Sequence, residues 1–147
     1  MRYLCIDLGD KRTGLAVGDS VMRMASPVDV LEVSITERGG DAMLDALVKA
    51  IDEQFSPHTQ AEIIIGLPLN MTDGSEGPRA KLVRAFAARL ADRLKPAREI
   101  RFHDERLSSA AADAQMSQSG LTHRQKKQRR DALAAAAILT DFLNALP

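Results

Sequence analysis

Hydrophobic and polar positions follow two different periods along this chain, and the switches between them mark out its elements. Tyr3 to Ile6 is a short apolar run closed by Asp7, and Gly9-Asp10-Lys11-Arg12-Thr13-Gly14 then reads as a turn into Leu15-Ala16-Val17-Gly18. Together they predict two hairpin strands. A third strand is expected within Ala25 to Val33, where Pro27 points to a strand start or an edge position. From Gly40 to Phe55 the period changes: Met43, Leu44, Leu47, Val48 and Ile51 recur at three- and four-residue steps, the mark of a helix with one buried face. Ala61 to Gly66 is β-branched and apolar, as a central strand would be, and Leu67 to Pro78 is rich in turn formers.

A helix is expected from about Pro78 to Leu94, with Pro78 suited to its first turn and Leu82, Phe86 and Leu90 spaced four apart on one face. Ile100 to His103 predicts another strand. Ser108 or Ser109 would cap an alanine-rich helix to about Ser119, and Gly120 separates it from a last helix over about Thr122 to Leu146. That helix carries Leu133, Ala136, Ala137, Thr140 and Leu143, small enough in part to pack closely on a sheet. The order βββαβαβαα implies a mixed sheet, antiparallel at its opening and parallel across the helical crossovers, with helices on both faces. This is an RNase H-like α/β arrangement. Its 147 residues, without repeat or linker, fit one domain spanning 1–147.

Composition narrows the function classes. A hydrophobic fraction of 45% and a charged fraction of 27% are those of an ordinary globular protein, and no stretch has the apolar length of a membrane span or a signal-peptide core. The expected location is the cytoplasm. Twenty acidic and twenty basic side chains cancel, so attraction to a polyanion must come from local clusters. With no Trp, one Tyr and four Phe the chain lacks stacking platforms for single strands, which favours recognition of a duplex or a backbone. The single cysteine, Cys5, sits in an apolar run and reads as a buried hydrophobe.

Three acids stand out against this background. Asp7 ends an apolar strand, where a carboxylate either caps the turn, pairs with Lys11 or Arg12, or holds a divalent cation. Asp104 and Glu105 follow the last strand; on extended backbone only one of the two can turn toward Asp7, while both could simply favour a helix N-terminus. Asp131 opens the apolar part of the last helix, with Ala134 and Ala135 leaving space on its face for a metal or phosphate, or else it pairs with Lys127 four residues earlier. Carboxylates from a first strand, a late strand end and a terminal helix would suit Mg²⁺ or Mn²⁺. Zinc spacing is absent, since His58, His103 and His123 are scattered.

Two such ions would activate water and stabilise the leaving oxygen of a phosphodiester. No Gly-x-Ser-x-Gly elbow offers a serine nucleophile instead. Candidate phosphate contacts are the basic run of Arg124, Lys126, Lys127 and Arg130, then Lys11 and Arg12 in the first turn, and Asn70, Arg79 and Arg106 on the loops beside the sheet. The loop from Gly66 through Arg79 leads to a helix N-terminus, which favours anions, but it is not a Walker loop.

Five ordered blocks, Ile6 to Val17, Gly66 to Asn70, Glu76 to Arg79, Asp104 to Ser108 and Asp131 to Ala135, together resemble the bacterial YqgF-type family of Holliday junction resolvases and pre-16S ribosomal RNA nucleases. The resemblance runs from Met1 into the last helix. It implies a metal-dependent nuclease of the cytoplasm that processes the 5′ end of pre-16S ribosomal RNA, with Asp7, Glu105 and Asp131 as catalytic and metal-binding acids. It selects Glu105 over Asp104. Structured RNA, or branched DNA as in resolvases, is the expected partner, with the protein a monomer or homodimer. One departure matters: where related resolvases carry an acid after the central strand, this chain has Gly66-Leu67-Pro68, so the second carboxylate must come from Glu105.

Two rival readings share these motifs. A non-catalytic RNA-binding assembly factor could keep the fold without turnover. A nucleotide-binding module of actin-like type would use the same Asp-x-Gly turn, but needs a second copy that this chain does not contain.

Overall fold

The computed structural model describes residues 1–106 and 122–147, except for the side chains of 123, 124 and 126–128. Strands β1 (Arg2–Asp7), β2 (Thr13–Asp19) and β3 (Ala25–Leu31) open the chain, helix α1 (Asp41–Gln54) leads to β4 (Ala61–Leu67), and α2 (Pro78–Arg93) leads to β5 (Ile100–Asp104). The last described element is α3 (His123–Asn144). The helix expected from Ser108 to Ser119 lies outside the described residues.

The sheet order is β3-β2-β1-β4-β5. β1 pairs antiparallel with β2 and β2 with β3, whereas β1–β4 and β4–β5 are parallel. Short turns join the antiparallel strands and helices carry the parallel crossovers, as chain geometry requires. Pro27 lies in the edge strand β3, opposite Ala16, where the ladder slips by a residue and a missing donor does least harm.

Side chains of β1 alternate between the two faces. Leu4 and Ile6 point toward α1 and α2 and join Leu15, Leu44, Leu47, Ile51, Ile63, Ile65, Phe86 and Leu90 in the larger core. Tyr3 and Cys5 point the other way, onto α3, where Ala16, Ile64, Ala135, Ala136, Ile138, Leu139 and Leu143 form the second core. The Cys5 thiol is fully buried, as a small apolar filler.

Helix α2 differs in face from the sequence expectation. Its buried residues are Ala80, Val83, Phe86, Ala87 and Leu90, and Leu82 is 43% exposed. At 100° per residue the seven-residue step from Val83 to Leu90 returns to within about 20° of the same direction, whereas the eight-residue step from Leu82 misses by about 80°. Helix α3 begins with a capping box: the Thr122 hydroxyl accepts from the Gln125 N–H, and the Gln125 side chain accepts from the Thr122 N–H.

Candidate active site

Asp7 is the last residue of β1, and alternation turns it to the α3 face in line with Tyr3 and Cys5. Beyond it the chain makes a tight turn. The buried Thr13 hydroxyl accepts from the Gly9 N–H at 3.2 Å, and the Arg12 carbonyl packs so closely on Gly9 that a Cβ there would stand 2.0 Å from its oxygen. The room left by Gly9 is thus filled by the chain's own backbone.

Glu105 follows β5, its N–H donating to the Leu67 carbonyl at 3.2 Å, which extends the β4–β5 pairing by one step. Its carboxyl reaches over Gly66 and is hydrogen-bonded to Asp7. A Cβ on Gly66 would stand 2.5 Å from Glu105 Oε2, so the missing side chain near the end of β4 is the space that Glu105 occupies. Asp104 faces away and is held by Arg106 through its backbone N–H, Nε and Nη2, at 2.7–3.1 Å. Of the two adjacent acids, Glu105 is therefore the one brought to Asp7.

Burial and proximity both act on this pair. Glu105 is pushed up to about 8, first by desolvation, then by the Asp7 charge and by the hydrogen bond to it. Asp7 is also raised, by burial and by the nearby Asp131 carboxylate, against the opposing hydrogen bond from Glu105 and the charge of Arg79. The pair therefore holds a proton more tightly than two separate carboxyls would. Arg106 holds Asp104 low, in contrast.

Asp131 approaches from α3. Its backbone carbonyl lies against Gly14, where a Cβ would be 1.9 Å from the oxygen, and Gly14 is the ladder partner of Asp7. The third acid thus stands beside the pair, though its carboxylate accepts from Arg12 Nε at 3.2 Å. The expected partner Lys127 has no described side chain. Among the described residues no group of three or more His, Cys, Asp or Glu side chains is assembled as a ready cation site. Two carboxyls meet, and the third is turned to an arginine.

Ala134 and Ala135 do not leave open space beside Asp131, contrary to the sequence expectation. Both are buried, and Ala135 packs in the second core; their small size lets the helix lie close to the sheet. Arg79, expected on a phosphate, donates instead to Asp10 Oδ1 at 2.5 Å and to the Leu8 carbonyl at 3.1 Å, bracing the first turn against α2. Asn70 donates to Ser75 Oγ at 2.8 Å within its own loop, and Arg106 is engaged by Asp104. Lys11 and Arg130 are exposed, and the side chains of Arg124, Lys126 and Lys127 lie outside the described residues.

Sequence reasoning missed three polar contacts around the site: Arg12 with Asp131, Arg79 with Asp10, and His103 Nε2 with Asp141 at 2.6 Å. The first two had a signal, since Arg12 and Arg79 both belong to the motif blocks. His103–Asp141 joins residues 38 apart with no local pattern to betray them.

The donor set is chemically that of a hard-cation site. All three side chains are carboxylates, and the raised affinity of the Asp7–Glu105 pair for a proton marks an excess of negative charge that a cation would balance.

Two solved structures share this arrangement over nearly the whole chain. T. thermophilus RuvC in complex with a Holliday junction substrate superposes with a TM-score of 0.59 at 15% identity, covering 99% of this chain and 95% of that one. The fowlpox virus resolvase bound to Holliday junction DNA gives 0.57 at 9% identity, over 99% and 98%. At such identities the likeness is one of fold, and it places the chain in the RNase H-like class. A family model described as "RuvX: Holliday junction resolvase" matches residues 1–145, and the chain belongs to that family of nucleases. Relatives in Anaeromyxobacter sp. (strain Fw109-5), 40% identical over 98% of this chain and 97% of theirs, and in Maridesulfovibrio salexigens, 38% identical over 97% and 98%, are both named "Putative pre-16S rRNA nuclease".

Proposed function

We propose that this protein is a metal-dependent nuclease that hydrolyses phosphodiester bonds in ribosomal RNA maturation, at the 5′ end of pre-16S RNA. The observation that carries the reading is the meeting of Asp7 and Glu105 across Gly66, two half-buried carboxyls with Asp131 beside them. Stability alone gives no reason to bury two like-charged groups in contact. The names of the relatives at 38–40% identity supply the substrate class.

Asp7, Glu105 and Asp131 would hold Mg²⁺ or Mn²⁺. When bound, such ions lower the pKa of water toward neutrality and offset charge on the leaving oxygen. Beside such a charge Asp7 and Glu105 would both be ionised, their proton passing to solvent, and both would be full acceptors. Gly66 keeps the floor under them clear. Arg79 holds the first turn in place through Leu8 and Asp10, which fixes the position of Asp7. Lys11, Arg12, Arg130 and the basic start of α3 would lie along the phosphate backbone.

The test is incubation of purified protein with a pre-16S RNA precursor and with four-way DNA junctions, each with and without Mn²⁺, beside the Asp7→Asn variant. The junction arm is included because both solved structures of similar fold above hold Holliday junctions. The expected result is Mn²⁺-dependent cleavage of the RNA, reduced more than roughly 10²-fold in the variant, since even outer-shell partners of metal sites cost 10–100-fold. Equal cleavage by both proteins refutes the assignment. RNA binding without cleavage by either supports a non-catalytic assembly factor instead.

A further inference from the structure

The backbone beneath Asp131 is fixed but its carboxylate is not. Packing of its carbonyl on Gly14 ties this turn of α3 to the start of β2, directly across the ladder from Asp7. The side chain, by contrast, is held through one contact from Arg12 Nε at 3.2 Å, and both partners are open to solvent, at 46% and 31%. An arginine that locks a carboxylate uses a two-pronged fork, as Arg84 does on Glu76 at 2.6 and 2.9 Å. Arg12 leaves its two terminal amino groups outside the contact. Those groups are left to donate a two-pronged fork to a phosphate, and Arg12 lies on the turn directly after the carboxylate strand.

We propose that Arg12 is a positioning residue that holds Asp131 away from the Asp7–Glu105 pair until a substrate phosphate draws the guanidinium off, so that the third ligand is delivered when nucleic acid arrives. The inference rests on the nuclease reading above. Its logic is competition between two anions for one cation: a backbone phosphate offers a bidentate partner where Asp131 offers a single oxygen. Release leaves Asp131 uncompensated beside two other carboxyls, a position that only a cation makes favourable. Metal and substrate then reinforce each other, each tightening the other by the same factor.

Mn²⁺ affinity, measured calorimetrically without nucleic acid at physiological salt, tests this. Removing the competitor in Arg12→Gln should tighten Mn²⁺ binding about 3- to 5-fold, the range that an exposed ion pair can withhold. In an Asp131→Asn background the same change should have no effect, because the group being withheld is gone. An oligonucleotide whose bridging leaving oxygens are replaced by methylene, so that water cannot cleave it, should tighten Mn²⁺ binding more in the wild type than in Arg12→Gln.

If Arg12→Gln leaves Mn²⁺ affinity unchanged, the proposal falls. It falls also if the tightening persists with Asn at 131, which would make it a general loss of positive charge, or if the oligonucleotide acts equally on both proteins. Absence of Mn²⁺ binding that is sensitive to Asp7→Asn would overturn the nuclease reading together with this one, whereas binding that needs Asp7 but ignores Arg12 removes only the present inference.

Discussion

The two faces of the sheet are built from different materials. Against α1 and α2 the strands lay down Leu4, Ile6, Leu15, Ile63 and Ile65, met by Leu44, Leu47, Ile51, Phe86 and Leu90. Against α3 the helix answers with Ala135, Ala136 and Ile138, and Gly14 and Gly66 replace side chains where the approach is tightest. The thick face buries more apolar area for each residue, and so carries more of the stability. The thin face gives up that area for proximity, and it is there that all three acids lie. Stability and chemistry are thus separated by one layer of backbone.

The strongest way to break this division is to cut into the thick face. Leu47→Ala, at a position with no exposure, should lower unfolding free energy by about 2–5 kcal/mol in urea titration while cleavage per folded molecule stays unchanged. A parallel loss of specific activity would show that the site depends on that core after all. Gly14→Ala probes the other side: the added methyl meets the Asp131 carbonyl, and the helix must shift. The expected destabilisation is smaller, about 1–3 kcal/mol, but specific activity should fall with it. Unchanged cleavage by this variant would mean that the exact seat of Asp131 is unimportant.

A gentler test uses pH. Glu105 has a folded pKa of about 8 against an ordinary 4.5, so the folded chain keeps a proton that the unfolded chain releases. This stabilisation is complete below about pH 4.5 and is lost as pH rises through about 8. In chelator the wild-type Tm should therefore fall between pH 5 and pH 8, more than in Glu105→Gln, and Mn²⁺ should remove the difference. Identical slopes for the two proteins would show that the carboxyl is not held apart from solvent as the structure has it.

Much of this was legible in the chain. The strands announced themselves because β-branched runs ended at Gly and Asp, and α3 because its alanines sat on one side of a capped, basic start. Asp7 was visible as a charge where the alternation allowed only apolar groups. The limits were equally physical. Leu82 and Val83 are both apolar and adjacent, so a four-residue row and a seven-residue row compete, and only packing decides between them. The alanines beside Asp131 were read as space because composition does not tell a gap from a close contact. Arg12 and Asp131 are 119 residues apart, and nothing local joins them.

The glycine between the two carboxyls has one more consequence. β1 and β5 are not neighbours; β4 runs between them, so the acids must bridge two strand spacings, roughly 9.5 Å of backbone. An aspartate from one bank and a glutamate from the other make the span, with nothing rising from the middle strand. The unequal lengths of the two acids are therefore a matter of carpentry: an aspartate at position 105 would keep every charge in the molecule and fall one methylene short of the opposite side.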